Sequence, residues 1–345
     1  MTHERARAER QEWDEVWEAR AADPAFIARN VAPLLPELSN GHRDARCRVE
    51  IVRAKRTGRL TIRYEFECVA TVYAKIYFDK VAAEKASDWL RYFWQNGFDS
   101  RSSCQVPEPL GYLAEEQTLF MRAARGASLI DLIAAGPIED AARGTRAAAR
   151  WLAKFHSLSI SSLPRESLCD RIGIFKLAPL LAKVAAAHPE RQPLLLDLLH
   201  DLRCIAPTTN LPARWVPSHG QFRAEHVFLE DDQVSVIDLE ILRVSGPAKD
   251  VARFAHSIMK TCFENSWDVS RAVYVVDEFL RESEALAGKA LTHVPYFRAL
   301  YSFKELAKAM KSRSTEGQER GTLEQLYLAE FHRSLQQSRA MSAAV

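Results

Sequence analysis

Beyond the middle of the chain, two neighbouring stretches gather side chains able to do chemistry. One is Ser218-His-Gly-Gln-Phe-Arg-Ala-Glu-His226; the other is Val234-Ser-Val-Ile-Asp-Leu-Glu240, followed by Gly246-Pro-Ala-Lys-Asp250. Imidazoles, carboxylates and a guanidinium stand here between apolar runs. Burying such groups without partners is costly, so a site is the economical explanation. Residue type limits what that site does. Gln221 carries a neutral amide that hydrogen-bonds but takes no proton near pH 7. Arg223 brings a fixed positive charge suited to steadying an anion. Glu225 is a candidate base, although its place next to His226 turns it the other way.

These stretches form a non-helical island over residues 215–246, inside a long helical region. Val227-Phe-Leu229 and Val234-Ser-Val-Ile237 read as a short β-pair around Glu230-Asp-Asp232, while apolar residues recur at helical spacing from Leu129 onward and again from Ala248 to Ser338. Upstream the texture differs. Val49, Ile51 and Val52, then Leu60-Thr-Ile-Arg-Tyr-Glu-Phe-Glu67, then Val69 to Phe78 alternate apolar and polar types rich in β-branched and aromatic side chains. That predicts three antiparallel strands, with a turn at Arg56-Thr-Gly58. Asp79 is placed to cap a helix whose apolar stripe is Ala82, Ala86, Trp89 and Phe93 and which stops at Asn96-Gly97. Two more strand-like runs flank Glu115-Glu116, the second being Thr118-Leu-Phe-Met121. Trp13, Val16 and Trp17 give the N-terminal segment helical patterning. The chain therefore reads as α+β, with lead-in helices over 1–44, a sheet-plus-helix lobe over 45–123 and a helical lobe over 124–340. The small residues from Ala340 to Val345 are expected to fray.

The order His-Gly-x-x-x-x-x-His, a hairpin, Val-Ile-Asp-Leu-Glu, then Gly-Pro-x-x-Asp opening a helix resembles the catalytic core of the aminoglycoside phosphotransferase and choline kinase family. Tyr73-Ala-Lys-Ile-Tyr77 is similar to the strand bearing that family's nucleotide-binding lysine. Val106-Pro-Glu-Pro-Leu-Gly-Tyr112 and Leu119-Phe-Met-Arg122 are similar to the approach to its hinge. The resemblance spans residues 45–260 and implies a two-lobed, protein-kinase-like fold with a small antiparallel-sheet lobe and a large mainly helical one. It implies ATP or GTP with Mg2+ as cofactors, and a small-molecule hydroxyl as the acceptor of the γ-phosphate. Such transfer rests on holding the phosphates, neutralising charge with magnesium and orienting the acceptor.

By resemblance, Lys75 holds the phosphates, Met121 borders the nucleotide at the hinge, and Asp238 binds magnesium, a cation that favours hard oxygen ligands. Glu240 supports the metal or caps a turn. His219 braces the loop, and Asp250 ties the loop backbone by accepting N–H groups. Glu84 is the candidate ion-pair partner of Lys75, although its helical position sets it away from the apolar stripe, with Asp88, Arg91 and Gln95.

The chain departs from the family's pattern in three places. Gln221 stands where the family has its aspartate base, so general-base help is lost there. His226 stands where an asparagine helps bind a second metal ion, and imidazole prefers softer cations than magnesium. The segment Arg53-Ala-Lys-Arg-Thr-Gly-Arg59 has one glycine where a phosphate-covering loop is glycine-rich, which hinders close backbone approach and leaves basic side chains to compensate.

Composition narrows the remaining classes. Lysine and arginine number 47 against 45 acids, a net charge of +2, so nothing in composition points to nucleic acid. No apolar run is long enough to span a bilayer, and the charged N-terminus lacks a secretory h-region, so a cytoplasmic protein without a membrane partner is expected. The six cysteines lie far apart without C-x-x-C spacing and are expected as reduced, packed thiols. Two functions follow: a phosphotransferase with an altered loop, or a pseudokinase or nucleotide-binding module in which Gln221 prevents turnover. A bare interaction scaffold is a third.

Overall fold

Strict alternation along the upstream strands becomes a five-stranded antiparallel sheet. The computed structural model describes residues 12–13, 15–39, 46–55, 58–159, 163–164, 173–206, 215–311 and 317–343. Within it, β1 (Cys47–Lys55), β2 (Arg59–Phe66) and β3 (Ala70–Tyr77) are followed by α1 (Lys80–Gln95). Then come the two-residue β4 (Cys104–Gln105), β5 (Pro109–Leu113) and β6 (Thr118–Arg122), and the sheet order is β1-β2-β3-β6-β5. Two residues of the Arg53–Arg59 segment, Arg56 and Thr57, lie outside the described residues, as does Cys169. The chain divides into two compact units, Met1–Gly126 with Ser235–Glu240, and Ala127–Val234 with Ile241–Val345.

In the first unit, β2 turns Leu60, Ile62, Tyr64 and Phe66 into the core, leaving Arg59, Thr61, Arg63 and Glu65 on the opposite face. Val72, Ala74 and Ile76 of β3 and Phe120 of β6 join that core. Trp17, Ala21, Phe26, Val31 and Leu35 from the N-terminal helical segments cover it. Each valine, leucine, isoleucine or phenylalanine of this set contributes about 1.5–3 kcal/mol when fully buried. Tyr64 donates its hydroxyl to the Ala21 carbonyl at 3.1 Å, fixing the cover to the sheet. The helix capped by Asp79, which accepts from Ala82 N at 2.8 Å, packs through a line different from the expected one. Ala83, Ala86, Ser87, Leu90 and Phe93 are buried, Ala82 is exposed and Trp89 is half-buried. Ala86 and Phe93 are common to the expected and observed lines, and Ala83 and Leu90 take the places expected for Ala82 and Trp89.

The second unit contains β7 (Ala127–Ser128), α2 (Leu129–Ala135), α3 (Ile138–Ser157), α4 (Ala178–Ala187) and α5 (Gln192–Cys204). The island follows, with β8 (Val216–Ser218), β9 (Val227–Glu230), β10 (Gln233–Val236, of which Ser235 and Val236 count with the first unit) and β11 (Arg243–Ser245). Last come α6 (Ala248–Glu264), α7 (Val269–Ala287), α8 (Val294–Lys311) and α9 (Gly317–Ala343). β9 pairs with β7, and β11 with β8. Residues 340–343 continue α9 rather than fraying. The carbonyls left open where α2 ends are closed by Arg271 of α7, whose Nε donates to Ile133 O at 2.6 Å and whose Nη2 donates to Leu132 O at 2.9 Å. At the centre, the rings of Phe155, Trp151, Phe222 and Phe254 stack in sequence with centroids 5.2, 5.7 and 5.0 Å apart.

Among the described cysteines, Cys104 and Cys262 are buried, and burial pushes the Cys262 thiol up to about 11. Cys68 and Cys204 are exposed, so packing as small apolar groups does not extend to them. No described helix is long and apolar enough to cross a membrane.

Candidate active site

The outer face of β2 and β3 carries the first cluster of charge. Register sets Arg59 opposite Tyr77 and Thr61 opposite Lys75, so alternation projects Arg59, Tyr77 and Lys75 from the same face, away from the core. On the island side, β10 ends and Asp238 takes a left-handed backbone conformation, φ 69°, which aspartate tolerates better than most residues. Leu239 is buried, and Asp238 and Glu240 flank it.

These groups meet within the first unit. Lys75 Nζ donates to Asp238 Oδ1 at 3.0 Å and to Glu240 Oε1 at 2.6 Å. Arg59 Nη1 lies 3.4 Å from Asp238 Oδ1 and also pairs with Glu240 Oε2. Tyr77 donates its hydroxyl to Glu240 Oε1 at 2.8 Å. Burial pushes the Tyr77 phenol well above its ordinary value, and Asp238 adds to this while Arg59 opposes it, so the hydroxyl keeps the proton it donates. Two cations thus balance two carboxylates, with only 13–14% of the Lys75, Asp238 and Glu240 side chains exposed.

This donor set suits a hard divalent cation. Magnesium uses one or two carboxylates and completes its shell with phosphate oxygens and water. No group of three or more His, Cys, Asp or Glu gathers into a metal cage among the described residues. Two other expected nucleotide-side residues lie elsewhere on the first unit. Glu84 pairs with Lys80, 3.9 Å away on the same helix, with its side chain half-exposed. Met121 is buried in β6, opposite Tyr73 and Pro109.

The second unit holds the loop from His219 to His226. Gly220 has φ 75°, and a Cβ there would come within 2.6 Å of the Ile241 carbonyl oxygen, so glycine is required. Asp250, 1% exposed in the first turn of α6, accepts from His219 N at 2.9 Å, Gly220 N at 3.0 Å and His156 Nε2 at 3.1 Å. Burial by itself would raise the Asp250 pKa. The hydrogen bond and charge of His156, then the charge and backbone N–H of His219, outweigh it and hold the carboxyl below its ordinary value.

Beyond Gly220 the loop alternates. Phe222, Ala224 and His226 are buried, and Gln221, Arg223 and Glu225 are only half-buried. Phe222 is locked in the central stack between Trp151 and Phe254, which presents its neighbours Gln221 and Arg223 on the other side. Arg223 pairs with Glu225 at 2.9 Å. Its Nη2 lies 3.1 Å from His226 Nε2. Guanidinium only donates, so this nitrogen of His226 is the acceptor. His226 also stacks on His219, centroids 6.1 Å apart. Ala224 N donates to Ser257 Oγ at 3.0 Å, a second tie between the loop and α6.

Sequence reasoning missed Arg59 as a partner of the carboxylates, Tyr77, and His156. Arg59 and Tyr77 were findable in principle, since strand periodicity places them on the Lys75 face. His156 carries no such signal: it is the penultimate residue of a long helix, 94 positions from Asp250.

The model of the phosphotransferase enzyme family matches residues 66–288 of this chain. No curated protein matches it significantly in sequence. Among solved structures it is similar to amicoumacin kinase hAmiN in complex with AMP-PNP, Ca2+ and Ami, at 13% identity over 92% of this chain and 96% of that one, TM-score 0.55. It is similar also to a choline/ethanolamine kinase family protein from Mesorhizobium loti, at 14% identity over 95% and 99% of the two chains, TM-score 0.55. A third is aminoglycoside-3'-phosphotransferase of type VIII, at 15% identity over 86% and 99%, TM-score 0.50. At these identities the likeness is one of fold: α+β and protein-kinase-like, with an antiparallel-sheet unit and a larger helical one.

Proposed function

Because the chain belongs to the phosphotransferase enzyme family, we propose that it transfers the γ-phosphoryl group of a nucleoside triphosphate, ATP or GTP, to a hydroxyl of a small molecule. The observation that carries this reading is Lys75 at 3.0 Å from Asp238 and 2.6 Å from Glu240, partners 163 and 165 positions away in sequence. An ammonium and two hard carboxylates at one spot are the groups a triphosphate–magnesium complex needs. Asp238 and Glu240 would hold the metal, which when bound neutralises charge on the phosphoryl group, and Lys75 would hold the phosphates. The similar fold of a kinase bound to AMP-PNP and Ca2+ supports a nucleotide and a divalent cation as the ligands.

The loop supplies orientation. Gln221 hydrogen-bonds the acceptor hydroxyl, and Arg223, tethered by Glu225 and His226, is the loop's fixed cation. A bond forms between acceptor oxygen and phosphorus as the bond to the nucleoside diphosphate breaks. The hydroxyl proton leaves to solvent or to a phosphate oxygen, since the amide cannot take it. Losing a general base costs ~100- to 10,000-fold, so turnover is slow and rests on positioning.

Gln221 itself favours a second reading, nucleotide binding without turnover. Thermal unfolding with and without ATP and Mg2+ tests the binding common to both, since ligand at about 100 times its Kd adds about 2.7 kcal/mol to stability. The parent is expected to shift upward, and Lys75→Ala and Asp238→Ala to lose the shift. A parent that does not shift sinks both readings. Transfer from radiolabelled ATP to a panel of hydroxyl compounds then separates them: labelled product from the parent ends the second.

A further inference from the structure

Building on the phosphotransfer reading, we infer that Arg59 is a built-in counter-ion of the metal-binding carboxylates, one that leaves Asp238 and Glu240 when a divalent cation arrives and then engages the triphosphate.

The position of Arg59 is fixed by backbone. It is the first residue of β2, directly after Gly58, whose φ of 75° makes the turn and whose carbonyl accepts from Phe78 N at 2.8 Å. The cross-strand register then sets Arg59 diagonal to Lys75, within reach of the same partners. Its guanidinium sits on Asp238 Oδ1 and Glu240 Oε2, and Lys75 takes Asp238 Oδ1 and Glu240 Oε1.

Charge decides what happens when metal comes. The four groups form a neutral, largely buried set, and a divalent cation added to it would face two monovalent cations at contact distance. Like charges that close in a low-dielectric setting repel strongly. Lys75 is wanted on the phosphates in the phosphotransfer reading. Arg59 is therefore the cation that yields its oxygens. A released guanidinium offers a planar fork of donors that fits phosphate oxygens two at a time. This supplies from a side chain part of what a glycine-rich loop supplies from backbone amides, and the Arg53–Arg59 segment has a single glycine.

The test uses the full chain and Mn2+ alone, followed by the electron paramagnetic resonance of the free ion, and then ATP at saturating Mn2+, followed by calorimetry. Arg59→Gln is expected to bind Mn2+ about tenfold or more tightly than the parent, and ATP at saturating Mn2+ about tenfold more weakly, the loss of a charge-assisted contact. Arg59→Lys falls between. Arg63→Gln is the control: Arg63 shares the strand face but pairs with Glu50 and Glu65, and its Mn2+ affinity stays at the parent's value. Circular dichroism establishes that each variant is folded. Equal Mn2+ affinity in parent and Arg59→Gln overturns the inference and leaves phosphotransfer standing. Absence of Mn2+ binding in every variant, with ATP present or not, overturns the phosphotransfer reading and this inference with it.

Discussion

Asp250 offers the sharpest test of how the loop is held. Its carboxylate, 1% exposed, is the acceptor for three donors at 2.9–3.1 Å: two consecutive loop amides and one imidazole. Asp250→Ala leaves all three in a dry environment without an acceptor. Hydrogen bonds to a charged group contribute about 1.5–3 kcal/mol each, but they share one carboxylate and do not add in full. Removing one side of a buried charged set costs about 3–5 kcal/mol, and we expect that loss here. Asp250→Asn keeps the shape but turns an amide N–H2 toward one of the donors, so a loss of about 2–3 kcal/mol is expected. Urea unfolding followed by circular dichroism measures both. Hydrogen exchange at His219 and Gly220 reports the loop directly. The lowered Asp250 pKa adds a sign. Its contribution is complete above the ordinary carboxylate value of 3.8 and is lost as pH falls through the lower folded value, so the parent loses this stability in acid and Asp250→Asn has none to lose. A loss under about 1 kcal/mol for Asp250→Ala, with both amides still protected, would refute the clamp.

Other outcomes follow from the same structure. Gly220→Ala is expected to lose at least about 2 kcal/mol, because a left-handed alanine is strained and its Cβ would meet the Ile241 carbonyl at 2.6 Å; a neutral urea midpoint would contradict this. Burial first, then the charges of Arg253, Arg298, Lys260 and Lys308, push the His256 pKa well below 6.5. Stability from a neutral His256 is full above pH 6.5 and falls by up to about 1.36 kcal/mol per unit as pH drops toward the folded value, a slope that His256→Gln should flatten in pH-dependent melts. The buried Arg298–Glu330 pair, 2.7 Å apart, predicts that Glu330→Gln costs about 3–5 kcal/mol while Arg298→Met with Glu330→Leu recovers most of it, read by thermal unfolding. Gln221→Asp is expected to raise phosphoryl transfer or hydrolysis ~100-fold or more with nucleotide Kd unchanged, and a changed Kd with an unchanged rate would place Gln221 on the nucleotide instead.

Much of this architecture was legible because strands and caps leave periodic signals. The alternation from Leu60 to Glu67 and from Val69 to Phe78 yields β2 and β3 with the expected faces, and Asp79 caps α1 as its type and position require. The apolar stripe of α1 differs from the expected one because Leu90, directly after Trp89, takes the buried position while Trp89 stays half-buried. Segment membership is a different matter. Ser235–Glu240 counts with the first unit although it lies between stretches of the second, and nothing in local composition announces that. The residues around Asp238 and Asp250 were singled out by their chemistry, but their partners were not. Arg59 lies 179 positions from Asp238, and His156 lies 94 from Asp250. Such pairs are set by topology, which periodicity does not encode.

Two of the three departures, Gln221 and His226, fall in a different unit from the retained groups, and that separation bears on function. Lys75, Asp238 and Glu240, with Arg59 and Tyr77, form a polar set in the first unit, every one of them engaged. Gln221 and His226 belong to the loop of the second unit, where the backbone is held by Asp250 and Ser257 and the interior by Phe222. The scaffold fixes where Gln221 and Arg223 point whether or not a base is present. What an amide at position 221 removes is proton acceptance; what it keeps is direction. On the proposed phosphotransfer reading, free energy lost at the loop is expected in the rate of transfer, and free energy lost at Lys75 or Asp238 in the affinity for nucleotide.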